Sequence, residues 1–422
     1  MLKDGMYVFV KRLRKVSGAL ALAAMLQASA ASAAKSTPIE PFAACLDKLR
    51  TRALAEGLKP TTVDTVFDRI TPLRTVVSSD RNQAEFNQTF QQYYDARVNA
   101  TRVKTGRRQM REHAQALRGI TGKYGVPGHY IMALWGLETN FGGYMGKLSA
   151  PSALATLACD GRRAEFFSAE LLAATRLVER GDVTLDTMLG SWAGALGHVQ
   201  FMPSTYLRHA VDGDGDNRRD LYGSLPDAFA SAASYLSAIG WQPGLRWGRE
   251  VHLPDNFDYA KTGPDQWQPL ADWRALGVTD AFGRLLPDLA LPAALLLPSG
   301  HRGPAFLVYD NFRVIMQWNR STNYAIAVGR LADRIAGAGR LSKSHPTLGE
   351  VRFSLADIAQ LQTYLNAAGF DSGTPDGILG RGTRRALQRY QQAKGLLADG
   401  YPDAPLIARA KDAQSESVGD DS

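Results

Sequence analysis

Cysteine is nearly absent: two residues, Cys45 and Cys159, in a chain of 422. No cluster of Cys and His has metal-ligand spacing, and the seven His are scattered. A zinc amidase or zinc peptidase therefore has no ligands to stand on. Long apolar runs are missing too. The one amino-terminal run, Val16 to Leu26, falls short of the roughly 20 residues a membrane helix needs. Charge of one sign is also scarce. The formal net charge is +8. Residues 1–34 hold Lys3, Lys11, Arg12, Arg14, Lys15 and Asp4, so without them it is +4. That balance makes no case for nucleic acid, and it is compatible with an anionic polymer.

What is present begins at the amino terminus. Lys11-Arg12, Arg14 and Lys15 precede the apolar run, and Ala28-Ser-Ala-Ala-Ser-Ala-Ala34 follows it. This pattern predicts a secretory signal peptide over residues 1–34 with a small-residue cleavage site. No Cys stands at a lipoprotein cleavage position. The expectation is export to the periplasm without a lipid or transmembrane anchor. In an exported chain an even Cys count favours a Cys45–Cys159 disulfide over two unrelated buried thiols.

With 45% hydrophobic and 21% charged residues, the chain has an ordinary globular composition. Residues 42–240 read mostly as helices. From about 249 to 318 Pro and Gly become frequent. Phe306-Leu-Val-Tyr309 and Phe312-Arg-Val-Ile-Met316 flank Asp310-Asn311, which predicts a β-hairpin. A helix over Thr322–Ala336 would put Ala325, Val328, Leu331, Ala332 and Ile335 on one face. Residues 341–352 read as a polar linker, 353–412 as a small helical domain and 413–422 as a disordered tail.

Glu138 carries the most information. It lies in Gly128-His-Tyr-Ile-Met-Ala-Leu-Trp-Gly-Leu-Glu-Thr-Asn-Phe-Gly-Gly143, an apolar helical segment with Pro127 at its start and Gly142-Gly143 as the expected stop. Leu134 and Trp135 precede Glu138 by four and three residues, on its own face. Desolvation there would raise a carboxyl pKa and keep the group protonated, as a general acid for glycosidic cleavage requires. The competing reading is a core Glu paired to an Arg such as Arg162 or Arg163.

Further motifs bear on that choice. Trp135-Gly-Leu-Glu-Thr-Asn-Phe-Gly142 is followed by Ala193-Gly-Ala-Leu-Gly-His-Val-Gln-Phe-Met-Pro-Ser-Thr-Tyr206. Arg162-Arg-Ala-Glu-Phe-Phe167, Ala233-Ser-Tyr-Leu236 before Gly240-Trp241, and Trp318-Asn-Arg-Ser-Thr-Asn-Tyr-Ala-Ile-Ala-Val328 complete the set. In this order, from about Phe42 to Arg340, they resemble the lytic murein transglycosylases of the B type. Ile358-Ala-Gln-Leu-Gln, Asp376-Gly-Ile-Leu-Gly-Arg-Gly-Thr383 and Ala386-Leu-Gln resemble the small helical peptidoglycan-binding domain of many wall enzymes. The resemblance implies a mainly α (α+β) fold: a goose-lysozyme-like helical catalytic domain over 35–340, a small β insertion at about 249–318, and the carboxy-terminal binding domain.

It also implies the chemistry. The substrate would be peptidoglycan, cut between N-acetylmuramic acid and N-acetylglucosamine. No motif offers a second carboxylate, and enzymes of this type work without one. Glu138 would serve as acid and then as base while the muramyl 6-hydroxyl closes a 1,6-anhydro ring. Ser191, Gln200, Phe201, Met202, Tyr235, Asn319 and Tyr324 would line the cleft. No cofactor is required. Protein partners are left open. A hydrolytic muramidase using the same acid, or a wall-binding scaffold without activity, are the alternatives. Separately, Asp212, Asp214, Asp216 and Asp220 occupy positions 1, 3, 5 and 9 of a calcium-type loop. Some enzymes of this type carry an EF-hand-like calcium there. Asn217 at position 6 and Gly223 at position 12 depart from the pattern. A solvated turn with Arg218 and Arg219 pairing the carboxylates is the other reading.

Overall fold

The computed structural model describes residues 41–81, 88–342 and 352–419. The signal-peptide expectation at 1–34 and most of the expected linker lie outside the described residues.

The Gly128–Thr139 helix is the centre of a helical bundle. Residues 130–135 are all buried, because the segment is apolar on every side rather than along one stripe. It packs on Thr322–Ile335, Ala100–Glu112, Ala114–Tyr124 and Leu225–Ala238. Pro127 precedes the first turn as expected. The stop comes before the glycine pair: Asn140 and Phe141 take φ of 51° and 60°, in the left-handed region, and end the helix at Thr139. Cys45, in the Phe42–Ala55 helix, is disulfide-bonded to Cys159, the last residue of the Ala150–Cys159 helix, with Cα atoms 5.9 Å apart.

Two short strands, β1 (Leu148–Ser149) and β2 (Leu189–Gly190), pair antiparallel beside the bundle. The insertion forms an antiparallel sheet of β3 (Gly248–His252), β4 (Trp267–Pro269), β5 (Thr279–Asp280), β6 (Pro292–Leu296) and β7 (Ala305–Val308), in the order β4-β6-β7-β3-β5. Both faces of its centre are covered. Ala294, Leu296, Phe306 and Val308 join the bundle core, while Leu295 and Leu307 alternate to a second core with Val251, Leu270 and Trp273. Burial on both faces is why these strands read as continuous apolar runs.

The hairpin expected across Asp310-Asn311 is wrong. β7 ends at Val308, and residues Asp310–Trp318 are a helix. Phe312, Val314 and Met316 alternate as a strand would, but Phe312, Ile315 and Met316 also recur at helical spacing. A tertiary hook decides. The fully buried Asn311 accepts from Gln242 N at 2.8 Å and donates to the carbonyls of Gln242 and Leu245.

The carboxy-terminal domain comprises Leu355–Ala367, Arg381–Ala393 and Ala404–Gly419 around Leu361, Leu365, Leu387 and Tyr390. Helix therefore extends through much of the expected disordered tail. Once begun, a helix adds one hydrogen bond per residue fixed, and Ala, Lys, Gln and Glu favour that growth. Buried Gln362 organises the Asp-Gly motif, accepting from Gly377 N and donating to Asp376 Oδ1 and Thr383 Oγ1. Gln391 treats Asp399-Gly400 in the same way.

This domain is not held by the linker alone. Arg384 donates to Pro298 O at 2.9 Å, and Gln388 to the carbonyls of Tyr259 and Thr262, both at 3.0 Å. Arg381 pairs with Asp265, and His301 Nδ1 lies 2.7 Å from Asp399 Oδ2. The domain is thus clamped to the β insertion at 259–265 and 297–301.

Candidate active site

Glu138 sits near the end of the central helix, half-buried. Tyr324 donates its hydroxyl to Glu138 Oε1, and Trp318 Nε1 donates to the same oxygen at 2.9 Å. Both donors come from the far end of the chain. Ser321 caps the Thr322–Ile335 helix by accepting from Tyr324 N, which sets Tyr324 in the first turn facing the acid. Arg162 and Arg163, the candidate partners of Glu138 in the Arg-pair reading, both pair with Asp80 instead.

Aromatic rings back the donors. Phe201 lies 5.3 Å from Trp318 and 5.5 Å from Tyr235 between centroids, and Tyr235 lies 5.5 Å from Trp318. Burial pushes the Tyr235 phenol above its ordinary range, so it stays a neutral donor. Phe201 is 2% exposed and supports the wall from behind rather than facing a ligand. Met202 beside it is half-buried.

The polar candidates divide by what they already bond. Gln200 adopts φ 50° and donates Nε2 to Met145 O at 3.1 Å and Gly197 O at 2.9 Å. Its amide hydrogens thus tie two loops together, and its oxygen is the group left to address a ligand. Ser191 Oγ accepts from Ala193 N and Ala195 N, which shapes its turn and leaves the hydroxyl proton to donate. Asn319 Oδ1 accepts from Ser321 N at 2.9 Å, a turn that leads into the Tyr324 helix.

Trp318 was not among the site residues expected from sequence, although it opens the Trp-Asn-Arg-Ser-Thr-Asn-Tyr motif. Trp135, the indole expected beside Glu138, is 3% exposed and donates instead to His198 Nδ1 at 3.1 Å. That bond requires His198 to be neutral. Burial lowers its pKa, against the opposing pull of Asp220 and the backbone at Tyr222.

One carboxylate oxygen each from Asp212, Asp214 and Asp216 lies within 4.8 Å of the others, as a hard cation needs. Asn217 takes φ 67°, the left-handed turn that glycine would otherwise supply. Arg219 pairs with Asp182, not with the loop. Asp220 accepts from Tyr222 N and Gly223 N. The three aspartates fit an oxygen-seeking cation, without a carboxylate at position 12.

Known proteins place this fold in a class. The structure of SltB3 from Pseudomonas aeruginosa in complex with NAG-anhNAM-pentapeptide superposes with a TM-score of 0.83 at 43% identity, covering 88% of this chain and 100% of that chain. The Escherichia coli lytic transglycosylase Slt35, solved in complex with calcium, gives 0.61 at 28% identity, covering 69% and 92%. The catalytic fold is thus the lysozyme-like helical one. Residues 41–333 match the transglycosylase SLT domain, and the chain belongs to that family. Residues 354–409 match the putative peptidoglycan binding domain. Membrane-bound lytic murein transglycosylase B of Escherichia coli is 34% identical over 244 residues, 53% of this chain. The chain spans 61% of the length of that relative. Among the described residues, no helix is long and apolar enough to cross a membrane.

Proposed function

We propose that the chain is a lytic transglycosylase of peptidoglycan, with Glu138 as its single acid and base. The observation that carries this reading is the convergence of Tyr324 and Trp318 on one oxygen of Glu138, at a wall of aromatic rings. Tyr324 and Trp318 on Oε1 help hold the carboxyl group in one orientation. The protonated Glu138 carboxyl gives its proton to the oxygen between N-acetylmuramic acid and N-acetylglucosamine, and the C1–O bond breaks. The muramyl 6-hydroxyl then attacks C1 while Glu138 takes its proton. A 1,6-anhydro ring forms and the acid is restored. Attack within one sugar gains a high effective molarity and consumes no water.

The other parts follow from the same reading. Gln200 Oε1, the Ser191 hydroxyl, Tyr235 and Asn319 hold the sugars, with Met202 as apolar lining and Phe201 behind it. Asp212, Asp214 and Asp216 hold a structural calcium that braces the turn before the Leu225–Ala238 helix. The 353–412 domain binds the wall polymer. Residues 1–34 direct export to the periplasm and are removed, consistent with the Cys45–Cys159 bridge.

The test is mass spectrometry of muropeptides released from purified sacculi. Anhydro-muramyl ends are expected. Reducing ends would mean a hydrolytic muramidase. Glu138→Gln keeps the shape and removes the proton, so release should fall by a factor on the order of 10² or more. Near wild-type release by that variant would refute the assignment.

A further inference from the structure

The Glu138 helix is followed by a loop, residues 140–147, that is built to be rigid. The Phe141 ring fills a notch made by two glycines. A Cβ on Gly136 would lie 2.7 Å from Phe141 Cζ, and one on Gly106 3.2 Å from it. Gly142 abuts His198, where a Cβ would come within 2.6 Å. Tyr144 N donates to Thr139 O at 3.0 Å, and Gln200 Nε2 holds Met145 O. Gly146 lies against Gly190 O so closely that no side chain fits. Yet this fixed loop leaves the Tyr144 side chain 61% exposed. Leu189, beside Gly190 on the strand that Gly146 abuts, is 41% exposed. The other exposed aromatics among the described residues, Phe166 and Phe282, each have a guanidinium over the ring, from Arg163 and Arg284.

A sugar ring presents a face of C–H bonds, and an aromatic ring held in place is its natural partner: large contact area with little side-chain freedom to lose. The loop is linked to the acid by a short path. Met145 is bonded by Gln200, whose neighbour Phe201 packs on Trp318, the donor to Glu138. We propose that Tyr144 is a stacking platform for a sugar of the glycan strand beyond the scissile bond, with Leu189 extending its apolar surface. This rests on the transglycosylase reading above and adds a specificity-determining residue to it.

The test measures equilibrium binding of soluble glycan strands of graded length to the full chain carrying Glu138→Gln, so that nothing is cleaved. Adding Tyr144→Ala should weaken binding of long strands by roughly tenfold. The shortest fragments, which do not reach the platform, should show less than half that effect on a logarithmic scale. Tyr144→Phe keeps the ring and should bind long strands as the Glu138→Gln parent does. Equal affinity of the Tyr144→Ala protein and its parent for long strands would overturn the proposal. So would an equal loss on the shortest fragments, which marks damage to the loop. A wild-type chain that neither binds nor cleaves these strands would overturn the functional reading itself, an outcome the uncleaved-strand assay separates from the loss of one platform.

Discussion

The disulfide lends itself to a worked prediction. Cys45 and Cys159 are 114 residues apart, and the segment between them contains Glu138 and the whole central helix. In the chain-entropy account, closing a loop of that size removes about 4.8 kcal/mol of unfolded-state freedom at 25 °C. Unfolding entropy of about 2.1 cal/mol/K per residue gives roughly 0.6 kcal/mol/K for the domain matched at 41–333. The double variant Cys45→Ala/Cys159→Ala should therefore melt about 5–8 °C lower, with the upper figure reached if nothing in the native state relaxes. Scanning calorimetry of both proteins at one pH reads the shift directly. Wild-type protein unfolded without reductant should titrate no free thiol. A melting point within about 1 °C of wild type, or two titratable thiols, would refute the reasoning.

Other perturbations probe the site. Tyr324→Phe removes a hydrogen-bond donor to Glu138 Oε1. A hydrogen bond to a charged group is worth about 1.5–3 kcal/mol, so kcat on soluble muropeptides should fall roughly 10- to 100-fold with the fold intact by circular dichroism; a change under about twofold would remove Tyr324 from the machinery. His198 must stay neutral to accept from Trp135, and burial lowers its folded-state pKa. Unfolded chain then binds more protons as pH falls below about 6.5, so the melting temperature should drop there. His198→Gln should flatten that part of the profile, and an unchanged slope would exclude His198 as its source. Calcium that binds only the folded chain should raise the melting temperature with concentration, by about 2.7 kcal/mol of stability at a hundredfold excess over Kd. Asp214→Asn/Asp216→Asn should abolish the response. Indifference of wild type to both calcium and chelator would leave a plain turn.

Much of the architecture was legible because it is written in local chemistry. Pro127, the apolar run to Leu137 and the one-sided apolar spacing from Ala325 to Ile335 mark their helices locally. The meeting of Glu138 with Tyr324, 186 residues away, was legible through motif order and not through periodicity. Trp318 was visible but mute, because nothing local says where an indole N–H will point. Trp135 misled for the same reason: helical spacing places it near Glu138, yet packing turns it to His198. The segment 310–318 failed differently. Its apolar residues satisfy both periods, and a buried Asn311 with partners some 66–69 residues away settles the matter. No local pattern carries that information.

The clamp between the terminal domain and the β insertion changes what a second binding place can accomplish. A flexible leash raises the local concentration of polymer but leaves the point of attack to chance. Arg384, Gln388 and the His301–Asp399 pair make the connection stiff. A stiff connection is a ruler. If the terminal domain holds a strand while Glu138 cuts it, as proposed above, the span between them is set by the protein, and fragment lengths would carry the imprint of that span.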